Sequence, residues 1–384
     1  MTDVNINIPF DPIMTLVVFL IGVPALVFQF MPSDIRRIVL EPHRRRRLFI
    51  DLGVPILVVV SVVLYGVVNE FSRLNHDDLQ HEIKWTTILL IVTIITAWVG
   101  IYIPFRYGRR EKVIEALKLE AAKGISTHGR LRELAIEDLI DLGKNAESSQ
   151  EQRLVLEVLY DLINEVCIHP LYKGDALETP ILNLINIVTI NADVISLESF
   201  YLAANILQTV VLTSGKPERT FDMQNAVRAA SGLARAALAI FDENVEVDSV
   251  VMGYIQTLDL MAQGHSSLTT DVSQALFEVG SLAVKHRKDY ICIAALDKMT
   301  TLLNSSANSK TELIADVVAL LAYFWCQGGS LGKYAKQHLQ QIENDLRKAT
   351  GDPLGVAYEH CMMGSAFEAA DKINTMALDI KGEA

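Results

Sequence analysis

The sequence predicts an all-α protein: a three-span transmembrane helical anchor followed by a cytosolic array of helices. Three observations carry that expectation. Residues 12–31, 49–68 and 85–105 are apolar runs, each long enough to cross a hydrocarbon core of roughly 30 Å. The loops between the runs alternate in charge. From Tyr107 onward, apolar residues recur at three- and four-residue spacing, and no stretch alternates as a half-buried strand does.

The runs explain the composition. Of 384 residues, 51% are hydrophobic, and the mean hydropathy is +0.28. Inside the three runs the only charged residue is Asp51, at the start of the second. A charge at bilayer depth is costly, so its absence is what a lipid-facing helix requires. The expected organisation is a short external N-terminus (1–11), a transmembrane domain (12–105) and a cytosolic all-helical domain (106–384).

Orientation follows from the flanking charges. The eleven residues before the first run carry Asp3 and Asp11 but no Lys or Arg. Loop 32–48 carries Arg36, Arg37, Arg44, Arg45, Arg46 and Arg47 against Asp34 and Glu41. Loop 69–84 turns acidic, with Glu70, Asp77, Asp78 and Glu82 against Arg73 and Lys84. After the third run the chain is basic again. Basic loops resist translocation, which places the N-terminus outside and the arginine loop inside. The acidic loop is then outside and residues 106–384 are cytosolic. The membrane expected is the bacterial inner (plasma) membrane. A cleaved leader fits poorly, because the first run has acidic residues before it, basic residues after it and no A-x-A site.

The block Arg44 to Arg47 is therefore first a topology signal. Together with Arg36, Arg37, Arg106, Arg109 and Arg110 it forms a basic collar at headgroup level. There each cation attracts anionic lipid by about 1 kcal/mol. Nucleic acid is not an expected partner. From residue 133 onward there are 18 Lys+Arg and 34 Asp+Glu, a balance that repels phosphate backbones. The partners expected are a bilayer with anionic lipids, and a protein with a basic surface or further copies of the chain as a homo-oligomer.

Gly22 and Pro24, Gly53 and Pro55, and Gly100 and Pro104 mark kink or packing points in the three runs, since proline removes a helix hydrogen bond and glycine permits close approach. With no charged group at depth, one copy cannot enclose a polar pathway, and a pore would need several.

In the cytosolic domain, breaks are expected near 124–128, 146–149, 170–175, 214–217, 242–245, 264–266, 304–309, 328–332 and 351–353. Between them lie helical segments of about 15–25 residues, the pattern of a bundle or an α-solenoid. At an offset of 140, Ala135 matches Ala275, Ile136 matches Leu276, Leu139 matches Val279 and Leu142 matches Leu282. Carried on, it pairs Leu156 with Leu296, Leu159 with Met299, Leu162 with Leu302 and Ile163 with Leu303. Over two stretches of roughly 33 residues this pattern resembles HEAT-type helical pairs, which implies an irregular solenoid; a non-repeating bundle is the alternative. Residues 226–241, AVRAASGLARAALAIF, have small side chains on every side and should form a central helix.

Motifs for chemistry are few. GGSLGKY (328–334) lacks the spacing and the Ser/Thr of a phosphate loop and reads as a helix–helix turn. The histidines are scattered, and Glu359-His360-Cys361 points three ways from one helix. His169-Pro170 and Lys173-Gly174-Asp175 read as a polar corner. Cys167, Cys292, Cys326 and Cys361 lack metal-binding spacing and read as reduced, buried thiols. No catalytic residue, cofactor or metal site is expected. The functional expectation is a non-enzymatic integral membrane protein whose helical-repeat domain mediates protein interaction or self-assembly, as a scaffold or sensor. The alternative is an oligomeric gated membrane effector or channel; an enzyme with a dispersed site is the third reading.

Overall fold

Helix-forming periodicity runs through nearly all of the chain beyond Tyr107, and the fold follows from where it is interrupted. The computed structural model describes residues 29, 31–40, 109–172, 175–213, 220–305, 310–349, 351–364 and 366–381. The three apolar runs, with Gly22, Pro24, Gly53, Pro55, Gly100 and Pro104, lie outside the described residues, save Gln29 and Met31. No helix among the described residues is long and apolar enough to cross a membrane. The described residues are all-helical, packed as in a bundle and without a strand.

The chain divides into two units, one up to Ala116 and one from Leu117. In the first, α1 (Ser33–Leu40) buries Ile35 and Ile38, and Met31 just before it is buried too. That spacing puts the apolar residues on one face and the arginines on another.

The second unit begins within α2 (Arg110–His128). It continues through α3 (Glu133–Lys144), α4 (Ser149–Ile168), α5 (Glu178–Thr189), α6 (Leu197–Thr213), α7 (Thr220–Ile240) and α8 (Val247–Gly264). Then follow α9 (Thr269–Lys285), α10 (Asp289–Ser305), α11 (Lys310–Gln327), α12 (Gly329–Lys348), α13 (Pro353–Met363) and α14 (Phe367–Lys381). Helices α3, α5, α7, α9, α11 and α13 stack one on the next in one row, and α4, α6, α8 and α10 stack in a second. Members of the first row start at 133, 178, 220, 269, 310 and 353, so successive pairs recur every 41 to 49 residues.

The offset of 140 joins α3 to α9 and α4 to α10, three pairs along. Of the sixteen residues it aligns, all but Leu282 are buried.

Three corners went unforeseen: 190–196 and 286–288, which have no Gly or Pro, and the end of α13 at Gly364. At 190–196 the Asn191 side chain does the work, donating to the Ala146 carbonyl at 2.7 Å and accepting from the Asp193 amide at 3.3 Å. At 286–288 the chain makes a Schellman motif. Lys288 N–H donates to Ala283 O, Arg287 N–H donates to Val284 O, and Arg287 takes φ +55° where glycine is usual. Relief of that left-handed strain, less the extra unfolded-state freedom of glycine, makes Arg287→Gly stabilising by about 0.5–1 kcal/mol. A rise in the thermal midpoint checks it.

Conversely, α2 continues through Gly124 to His128, where a break was expected. A Cβ on Gly124 would lie 2.5 Å from Arg130 O, so the missing side chain admits the returning chain instead of breaking the helix. The 328–332 corner is a helix–helix turn as read. Gly328 and Gly329 both take positive φ, +71° and +57°, and α12 starts at the second.

Helix α7 contains the slim 226–241 stretch and packs against α5, α6, α8 and α9. More enclosed still is α11: every residue from Leu313 to Phe324 is buried, among α9, α10, α12, α13 and α14. A helix apolar on all sides needs neighbours on all sides.

Candidate functional site

The expected collar is described only in part. Arg44, Arg45, Arg46, Arg47 and Arg106 lie outside the described residues. Arg36 is half-buried and donates from one guanidinium nitrogen to the carbonyls of Gln29 and Met31, both at 3.0 Å. Its guanidinium thus ties down the chain entering α1, a task no sequence pattern announces. Arg37 and Arg109 are exposed, Arg110 is half-buried, and Lys112 pairs with Glu115 at 2.8 Å.

In the second unit, ion pairs join one helical pair to the next. Lys118 meets Asp161, Arg153 meets Glu198, Arg235 meets Glu278, and Lys298 meets Asp259. Most are solvent-facing and contribute little each. The buried links carry more information. Gln152 is fully buried, donates to Ile187 O at 2.8 Å and accepts from the Ser199 hydroxyl, so α4 is fastened to α5 and α6. The Tyr254 hydroxyl donates to Phe200 O and ties α8 to α6.

Two titratable clusters stand out. Asp222, in the first turn of α7, is fully buried and accepts from the Tyr172 hydroxyl at 2.7 Å. Its other oxygen, Oδ1, and the Nδ2 of Asn225 one turn on are buried without a hydrogen-bond partner. Burial pushes the Asp222 carboxyl up to about 7, against the opposing pull of Tyr172 and the Leu177 amide. Tyr172 belongs to the corner read from sequence as polar, and Asp175 of that corner takes both contacts of Arg130, at 2.7 and 2.9 Å. Lys173 and Gly174 lie outside the described residues.

The second cluster surrounds Asp316, the single carboxylate inside the apolar length of α11. His360 Nδ1 lies 3.1 Å from its Oδ1. The Phe277 ring from α9 lies 6.0 Å from His360, tilted, and 6.0 Å from Tyr323, edge to face. The neighbouring Asp316 carboxylate raises the His360 pKa above its ordinary value, against desolvation. As expected from helical geometry, Glu359, His360 and Cys361 do not form one site: His360 meets Asp316, while Cys361 is buried and its thiol is pushed up to about 12 by burial. Cys292 is likewise pushed up to about 12, chiefly by burial, so neither thiol is a nucleophile at neutral pH.

Asp222 was missed because an acid in a helix's first turn reads as a partner of the helix dipole. Asp316 left a usable trace, one acid within LIADVVALLAYF. No group of His, Cys, Asp and Glu among the described residues could hold a metal ion. Against known proteins, the chain matches no family model, no curated protein and no solved structure.

Proposed function

We propose that the chain is a non-enzymatic membrane-anchored interaction protein, with residues 106–384 forming a cytosolic, irregular α-solenoid of HEAT-like pairs. The observation that carries this reading is the stacking of α3, α5, α7, α9, α11 and α13 in one row and of α4, α6, α8 and α10 in a second, with links between pairs. Stacked pairs expose long continuous surfaces suited to extended partners. The charge balance beyond residue 133 supports a partner with a basic surface, or assembly with further copies through their basic collars. The apolar runs and their flanking charges support an anchor in the bacterial inner membrane with anionic lipid at the collar.

The test is the mass of the detergent-extracted full chain, together with capture of bound proteins from the same extract. A defined complex, with itself or with a basic protein, is the expected result. A monomer that captures nothing overturns the reading. A homo-oligomer whose expression collapses the membrane potential selects the gated effector or channel instead.

A further inference from the structure

We propose that the corner between α4 and α5 is a proton-operated latch on α7, closed while Asp222 is neutral and loosened when its carboxylate is charged. The geometry is that of a clasp. The corner delivers the Tyr172 hydroxyl to Asp222 Oδ2 at 2.7 Å. Asp222 is fully buried, and its Oδ1 has no donor. A neutral acid fits such a site, because it needs less solvation and can exchange donor and acceptor roles with the phenol.

The groups acting on Asp222 oppose its charge. Asp175 from the corner and Glu178 from α5 both push its pKa upward. The nearby cation, Arg130, is committed to Asp175. Desolvation is the largest influence, and Tyr172 and the Leu177 amide only partly offset it. A folded-state value raised above the unfolded one means that closure is favoured at low pH and lost as pH rises. The window runs from the ordinary carboxylate range up to about 7. The same corner touches the α2–α3 corner, where a Cβ on Gly129 would meet Leu171 at 2.7 Å, and so it joins three successive pairs. Loosening it frees the register of α2 to α7. The latch operates whether the chain is a scaffold or a channel.

The experiment is amide hydrogen exchange on the full-length chain in detergent between pH 5 and 8, corrected for intrinsic rates. Peptides from the α4 C-terminus, the α5 N-terminus and the first turns of α7 are read against α10 as background. Protection at the latch should fall by up to about tenfold per pH unit as pH rises from 5 and level off near 7. In Asp222→Asn the profile should be flat at the protected level. Should that variant fold poorly, two others decide. Tyr172→Phe removes a donor that favours the charged form, so levelling off should move to higher pH. Asp175→Asn removes a like charge, so it should move to lower pH. A flat wild-type profile, a slope that survives in Asp222→Asn, or shifts of the opposite sense overturn the latch.

Discussion

Phe324→Ala should destabilise the helical unit by about 3–5 kcal/mol, the cost of deleting a fully buried aromatic ring from a core that cannot collapse around the void. Position decides the size of the effect. Phe324 closes the run of buried residues on α11, the helix enclosed by α9, α10, α12, α13 and α14. Phe367, the first residue of α14, is 61% exposed, and Phe367→Ala should change stability by no more than about 0.5 kcal/mol. Urea or thermal midpoints of the two variants, measured side by side, check the contrast. Equal losses would mean that α11 is not the centre of its unit.

His360→Ala should cost about 2–3 kcal/mol, less than the 3–5 of a fully buried pair because a quarter of the imidazole reaches solvent. The loss comes from leaving Asp316, only 2% exposed, without its cation. The pH dependence has a fixed sign. The His360 pKa is raised, first by its contact with Asp316, so the pair's stabilisation is complete below the unfolded value of 6.5. It is lost as pH rises through the folded value. Asp222 acts in a lower window, below about 7, and His338, whose pKa burial lowers, acts in the opposite direction as pH falls. Asp316→Asn should therefore weaken the decline above pH 6.5 while leaving the decline below it intact. Glu312 and Glu359 also raise the His360 value, so a residual slope remains. Thermal midpoints between pH 5 and 9 separate the windows, and an undiminished slope in Asp316→Asn would assign it to other groups.

The helical class and most corners beyond residue 130 were legible because helix periodicity and Gly/Pro punctuation are local signals. The corners that escaped use other means. Arg287 substitutes for glycine in a left-handed turn, and Asn191 builds its corner through side-chain bonds. The pair length escaped because the spacing varies from 41 to 49 residues, so no single short offset carries through the array. Of the site, the polar corner at 170–175 was legible as a corner, but its link to Asp222 spans 50 residues, and no local pattern encodes that. Arg36 was read as a lipid contact from its charge alone, while its bonds to Gln29 and Met31 depend on how the backbone turns before α1.

The enclosure of α11 also dictates an order of events at the ribosome. The earlier pairs each add to a neighbour already made, so they can settle as they emerge. Helix α11 cannot, because α13 and α14 cover part of its surface and are translated after it. Until α13 and α14 leave the exit tunnel, a nascent chain displays an apolar stripe that holdase chaperones favour. Premature termination before Pro353 would yield a product marked for degradation rather than a shorter working array.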